Sequence, residues 1–127
     1  MCKQTLFVLL HPKNEYISKE YANSSICVLT SRFEGFSLVL LEAMKHGVPC
    51  VTFDCPYGPS DVVDNEKSGY VIENDNIELF AQKLSELMDH PETRKAFSEE
   101  AIVKAKMFDK GVIMRQWKTL FESLLKE

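Results

Sequence analysis

Apolar positions follow two different rhythms along the chain. Up to residue 72 they come in short runs: TLFVLL (5–10), SICVLT (25–30), PCVTFD (49–54) and GYVI (69–72). Runs this short, rich in β-branched residues, predict buried strands. Between them, residues 14–23 predict a short helix with Tyr16, Ile17 and Tyr21 on one face, and Phe36 to His46 predict a second. Gly47 suits the left-handed residue that ends that helix, and Pro49 bars its continuation. CPYGPS reads as a loop by its proline and glycine content, with Ser60 placed to cap a short helix over DVVD. Past residue 72 the period becomes helical. Asp75 with Glu78 resembles a capping box, followed by the stripe Ile77, Phe80, Ala81, Leu84, Leu87, Met88. Pro91 fits the first position of a further helix. Asp109 is placed to cap the last helix, whose stripe is Ile113, Trp117, Leu120, Phe121, Leu124 and Leu125. Both stripes are expected in the core. Short buried strands alternating with helices predict an α/β domain over 1–127, with a parallel sheet covered on both faces.

Composition narrows the function classes. The 127 residues carry a formal net charge of −4, and the basic residues form no stripe or block, so a nucleic-acid footprint is not expected. The apolar runs are too short to cross a bilayer. MCKQTLFVLLHP carries little charge and no small-residue cleavage site follows it, so a secretory leader is not expected. Cys2, Cys27, Cys50 and Cys55 contain no C-x-x-C, and Cys27 and Cys50 lie inside strand-like runs. Reduced thiols in a cytoplasmic protein are the expectation. The three histidines pair with no cysteine or carboxylate at a metal-ligand spacing, so no metal is expected. His46 and His90 close helical patterns, where an imidazole suits the helix dipole.

The stretch SRFEGFSLVLLEAMKHG (31–47) holds the candidate chemistry. Glu34 and Glu42 stand eight positions apart, but so do Glu78 with Glu86 and Glu92 with Glu100. The spacing carries nothing by itself, and the latter pairs read as solvated helix faces. Only the first pair follows a predicted strand through a turn into a helix. In an open parallel sheet, ligands bind beyond the carboxyl ends of the strands, where helix N-termini point. The amides of Gly35, Phe36, Ser37 and Leu38 would then form an anion site, and Gly35 lacks the Cβ that would block close approach. Glu42, in the second helical turn, suits a vicinal diol such as a ribose. Glu34, on the other side of the anion position, suits the hydroxyls of a second polyol. An anion cradle between two diol-binding carboxylates describes a nucleotide-diphosphate sugar. The same pattern also fits a surface turn in which both carboxylates are merely solvated.

The residues from SSICVLT to GPSDVV resemble the nucleotide-binding segment of the family 4 glycosyltransferases, retaining enzymes of GT-B fold. The resemblance rests on Glu34-Gly35-Phe36, Glu42-Ala43-Met44, Gly47-Val48-Pro49, the loop Gly58-Pro59-Ser60-Asp61, SGYVI, and the closing helices with Arg94 and Trp117. It covers roughly residues 15–125. It implies a Rossmann-like sheet, part of the C-terminal domain of a GT-B enzyme. It also implies donor-sugar contacts from Glu34, sugar or diphosphate contacts from the amides of residues 35–38, and ribose binding by Glu42. Asp61 stands where the family usually has glutamate. The implied donor is a nucleotide-diphospho-sugar, most often a UDP-sugar, used without a metal in capsular or surface polysaccharide synthesis. The polysaccharide or lipid-linked acceptor would be held by a domain outside this sequence. The cationic side chains that would neutralise the diphosphate have only weak candidates here, in Lys3, Lys13 and Arg32. The expectation is a cytoplasmic donor-binding part, at most peripheral to the membrane, inactive alone and self-associating through TLFVLL or an uncovered apolar face. The alternatives are one half of a split two-chain transferase and a non-catalytic α/β interaction module.

Overall fold

The computed structural model describes residues 8–11 and 16–125. The elements run α1 (Ile17–Ala22), β1 (Cys27–Leu29), α2 (Leu38–Lys45), β2 (Cys50–Asp54), α3 (Pro59–Val62), β3 (Gly69–Glu73), α4 (Ile77–Asp89), α5 (Pro91–Lys106) and α6 (Lys110–Leu124). The strands form one parallel sheet in the order β1-β2-β3, with Cys27 opposite Cys50 and Cys50 opposite Gly69. Gly69 has no room for a side chain, because a Cβ there would lie 2.3 Å from the Cys50 carbonyl oxygen.

Alternation along the strands divides the core in two. Cys50 joins Leu40, Leu41, Ala43 and Met44 of α2, Val62 of α3, and Ala101 and Ala105 of α5 on one face. Val51, Tyr70 and Ile72 meet Phe80 and Leu87 of α4 and Phe97 of α5 on the other. The parallel, two-faced α/β sheet read from the sequence is therefore present. Cover on the second face stops short of β1, where Val28 is 44% exposed. Among the described residues the outer edge of β1 has no partner strand.

The chain junctions are tightly determined. α2 ends with Gly47 at φ 71, and the Gly47 and Val48 amides donate to the carbonyls of Met44 and Ala43, the Schellman arrangement. Pro91 opens α5 as its spacing predicted. Arg94 of α5 donates to the Leu87 and Met88 carbonyls and so closes the C-terminus of α4. His46 and His90 each set Nδ1 2.8 Å from the carbonyl four residues earlier.

Several expectations are corrected. Residues 8–10 of the TLFVLL run belong to no strand and are exposed, while 5–7 lie outside the described residues. The cap of α4 is Asn76, whose side chain accepts from the Leu79 amide, because Asp75 is turned to φ 62. Gly58, not Ser60, precedes α3, since Pro59 takes its first position. Asp109 precedes α6 but makes no side-chain cap bond. Glu86 is not on a solvated face: it accepts from Tyr70 Oη and from Lys83. Those hydrogen bonds, Tyr70 first, hold its carboxyl below the usual range. Ile77, Ala81 and Met88 lie at the exposed margin of α4, so the stripe is buried only through Phe80 and Leu87. The largest departure is α6, which has no buried residue; Trp117 is 51% exposed and stacks only on Phe121 of its own helix. Its apolar face is present, but no element of the described chain lies across it.

Leu87→Ala removes a fully buried side chain. It should cost about 2–5 kcal/mol of unfolding free energy in urea, whereas Trp117→Ala should cost no more than about 0.5 kcal/mol. Comparable losses would contradict the exposed placement of α6. Because the folded pKa of Glu86 is lowered, its contribution is complete above the unfolded carboxylate value and lost as pH falls through the folded one. The stability deficit of Tyr70→Phe, measured by denaturation at several pH values, should therefore shrink toward acid.

Candidate functional site

Beyond Leu29 the chain leaves the sheet at its carboxyl end, runs through Thr30 to Phe36, and enters α2 at Leu38. Ser37, at φ −72 and ψ 78, makes a tight turn in which the Leu38 amide donates to the Phe36 carbonyl at 2.8 Å. This is an inverse γ-turn. The Phe36 ring is set by Phe108, 5.4 Å away at the α5–α6 junction. From the other side comes the loop after β2. Gly58 has φ 104, and a Cβ there would lie 2.5 Å from the Gly35 carbonyl oxygen and 3.2 Å from both Ser37 N and Ser37 Oγ. The EGF turn and the GPSD loop, separate in sequence, are thus in backbone contact.

That contact buries Ser37. The residue is 1% exposed, yet its Oγ has no hydrogen-bond partner among the described residues. The amides of Gly35, Phe36, Ser37, Val39 and Leu40 also find no acceptor there, while Leu38, expected in that set, is turned to Phe36. Helix N-termini concentrate unsatisfied N–H groups and a positive partial charge. A buried hydroxyl beside them adds one more donor. A Cβ on Gly35 would meet nothing within 4 Å, so the space beside this turn is open.

Glu34 is half-buried and makes no ion pair or hydrogen bond among the described residues. Glu42 is exposed on α2. Tyr21 of α1 points its hydroxyl at Glu42, 3.5 Å from Oε2, and stacks on His46 at 5.5 Å. Burial, and then the Glu42 charge, push the Tyr21 phenol up to about 12, so it remains a donor at neutral pH. The sequence places Tyr21 on one face of a short helix with Tyr16 and Ile17, a pattern that does not reveal its contact with Glu42. Arg32 is exposed and has no acidic partner among the described residues, and Lys3 and Lys13 lie outside them. In the second loop Pro59 is buried, whereas Ser60 and Asp61 are exposed. Ser60 also borders an open cleft of about 490 Å³ shared with Asp54, Asp64, Asn65 and Lys67, where Lys104 holds Asp64 at 2.8 Å. Among the described residues no group of three His, Cys, Asp or Glu side chains could hold a metal, and Cys27, Cys50 and Cys55 are free thiols.

Residues 2–104 match the glycosyl transferases group 1. The chain belongs to this family. It is 33% identical over 101 residues to the amylovoran biosynthesis glycosyltransferase AmsD of Erwinia amylovora, covering 80% of this chain and 28% of that protein. Over 98 residues it is 37% identical to the poly(glycerol-phosphate) alpha-glucosyltransferase of Bacillus subtilis, covering 77% of this chain and 15% of that one. A crystal structure of a TarM variant from S. aureus, in complex with UDP among other ligands, matches with a TM-score of 0.75 and 34% identity. That match covers 82% of this chain and 21% of TarM. The chain therefore spans 15–28% of the length of these three relatives, and its α/β fold is that of GT-B glycosyltransferases. No helix among the described residues is long and apolar enough to cross a membrane.

The contact between the two group 1 loops is directly testable. Gly58→Ala imposes a left-handed φ on alanine and drives its Cβ into the Gly35 carbonyl. It should cost at least about 1–3 kcal/mol, while Gly35→Ala should stay within about 0.5 kcal/mol. Equal effects in chemical denaturation would contradict the contact.

Proposed function

We propose that this chain is the nucleotide-sugar-binding part of a retaining glycosyltransferase that builds a surface or capsular polysaccharide. The observation that carries the reading is Ser37: a buried hydroxyl with no partner among the described residues, at the start of a helix whose Val39 and Leu40 amides are also unpaired there. Leaving such a group unsatisfied costs about 1–3 kcal/mol, a cost that a diphosphate or sugar oxygen would offset on displacing the Gly58 loop that covers it. The UDP in the TarM complex and the polymer-related names of the relatives support the same substrate class.

In this reading the amides of Gly35, Phe36 and Ser37, with those of Val39 and Leu40, face oxygens of the donor. Leu38 joins them if the γ-turn opens. Glu42 accepts from the ribose diol and Glu34 from hydroxyls of the transferred sugar. Gly58, Pro59, Ser60 and Asp61 wall the site from the second loop. During transfer the bond from the anomeric carbon to the diphosphate breaks and one to an acceptor oxygen forms on the same face, the acceptor proton passing to the leaving phosphate. The chain's contribution is electrostatic: fixed dipoles meet charge as it develops on the leaving group. Glu34 and Glu42 bind rather than attack.

Two ways of completing the site remain distinct: further polypeptide of the same longer chain, or a separate acceptor-binding chain. The edge of β1 that no strand among the described residues covers, the exposed Val28, and the exposed Phe33 and Leu38 all favour completion by additional protein. A non-catalytic interaction module is disfavoured, since it would have no use for an unsatisfied buried hydroxyl.

Ser37→Ala separates binding from folding. Ser37 makes no cap bond, so its loss should leave denaturation unchanged or slightly improved. Calorimetric titration with UDP should show affinity reduced roughly tenfold or more, as befits a lost hydrogen bond to a charged group. Equal affinity in the two proteins, or no binding by wild type at millimolar UDP, would overturn the proposal.

A further inference from the structure

We infer that Tyr21 is a positioning residue for Glu42, and through it sets the preference of this site for a ribose over a deoxyribose diphosphate. The inference rests on the donor-site reading of Glu42 given above.

Glu42 sits on an exposed helix surface, where a long carboxylate side chain samples several rotamers. Among the described residues, Tyr21 is the one side chain that reaches its carboxylate. The contact is made to Oε2 alone, at 3.5 Å, which leaves Oε1 to accept from a ligand. At 3.5 Å the contact is longer than an ordinary O–H···O hydrogen bond, so its effect is on the placement of the carboxylate. The phenol is itself fixed by three surroundings. Its ring packs against the core cluster that holds Leu40, Leu41, Ala43 and Met44 of α2, and it stacks on His46. The hydroxyl is also 3.5 Å from the Val39 carbonyl, one turn before Glu42 on α2. His46 in turn holds the Glu42 carbonyl through Nδ1. Tyr21 therefore touches α2 at three successive levels, Val39, Glu42 and His46. α1 is a six-residue helix with no fully buried residue, and Tyr21 supplies its contact with the larger core cluster.

The test compares UDP with 2′-deoxyuridine diphosphate in calorimetric titrations of wild type, Tyr21→Phe, Glu42→Gln and the double variant. Phenylalanine keeps the ring and its stacking, and thermal unfolding of Tyr21→Phe should remain near wild type. Wild type should prefer UDP over the deoxy analogue. Tyr21→Phe should lose several-fold in UDP affinity and little in deoxy-UDP affinity, so that discrimination falls, and it should add nothing in the Glu42→Gln background. A merely structural tyrosine would weaken both ligands equally or in both backgrounds, and that result overturns the inference. If Glu42→Gln itself leaves UDP affinity and discrimination unchanged, the donor-site reading fails, and the inference with it. If Glu42→Gln reduces both and Tyr21→Phe reduces neither, the inference alone fails.

Discussion

The approach of the Gly58 backbone to the Gly35 carbonyl is the constraint on which the rest of the site depends. Two loops leave the same end of a parallel sheet, one after β1 and one after β2, and they meet without an intervening side chain. Only a residue lacking Cβ, and free to take φ 104, permits that approach. Once it is made, Ser37 is buried beside the second loop, and the first turn of α2 is fixed with the Val39 and Leu40 amides unpaired among the described residues. Helix position, hydroxyl burial and the open space beside Gly35 all follow from one backbone contact.

Packing supplies the rigidity this needs. α2 buries Leu40, Leu41, Ala43 and Met44 against β2, α3 and α5, and Gly47 locks its far end, where a Cβ would lie 2.7 Å from Ser98 Oγ. The opposite side of the helix stays exposed at Leu38, Val39 and Glu42. One element thus carries a dry face that fixes it and a wet face that presents chemistry. The Arg94 clamp on α4 and the Lys104–Asp64 pair hold the outer helices in register with the sheet, but neither borders the turn. Ser37 Oγ is the one buried side-chain polar atom without a partner among the described residues, and it lies at this turn.

Much of this fold was legible in the sequence because it depends on local chemistry. Runs of β-branched residues bounded by Gly and Pro gave β2 and β3 nearly to the residue, and Gly47 and Pro91 marked helix ends by the conformations only they favour. What was not legible depends on partners distant in the chain. The α6 stripe has ideal periodicity, yet periodicity cannot say whether another element lies across it. Asn76 displaced Asp75 as a cap because the preceding turn required a positive φ at Asp75. Glu86 looked like a solvated charge until Tyr70 and Lys83, placed by the sheet and by α4 itself, closed on it. In the candidate site, Glu34, Gly35 and Glu42 stood out through the strand-turn-helix context. The unsatisfied state of Ser37 and the reach of Tyr21 are properties of packing, and no pattern of residue types announces them.

The central claim is that this turn is where a nucleoside diphosphate sits. Amide chemical-shift mapping of the isotopically labelled protein during titration with UDP tests it most directly. The account predicts saturable shifts concentrated at Gly35 to Leu40 and around Gly58 to Asp61. Shifts centred instead on the cleft of Asn65 and Lys67, or no saturable shifts at millimolar UDP, would contradict it.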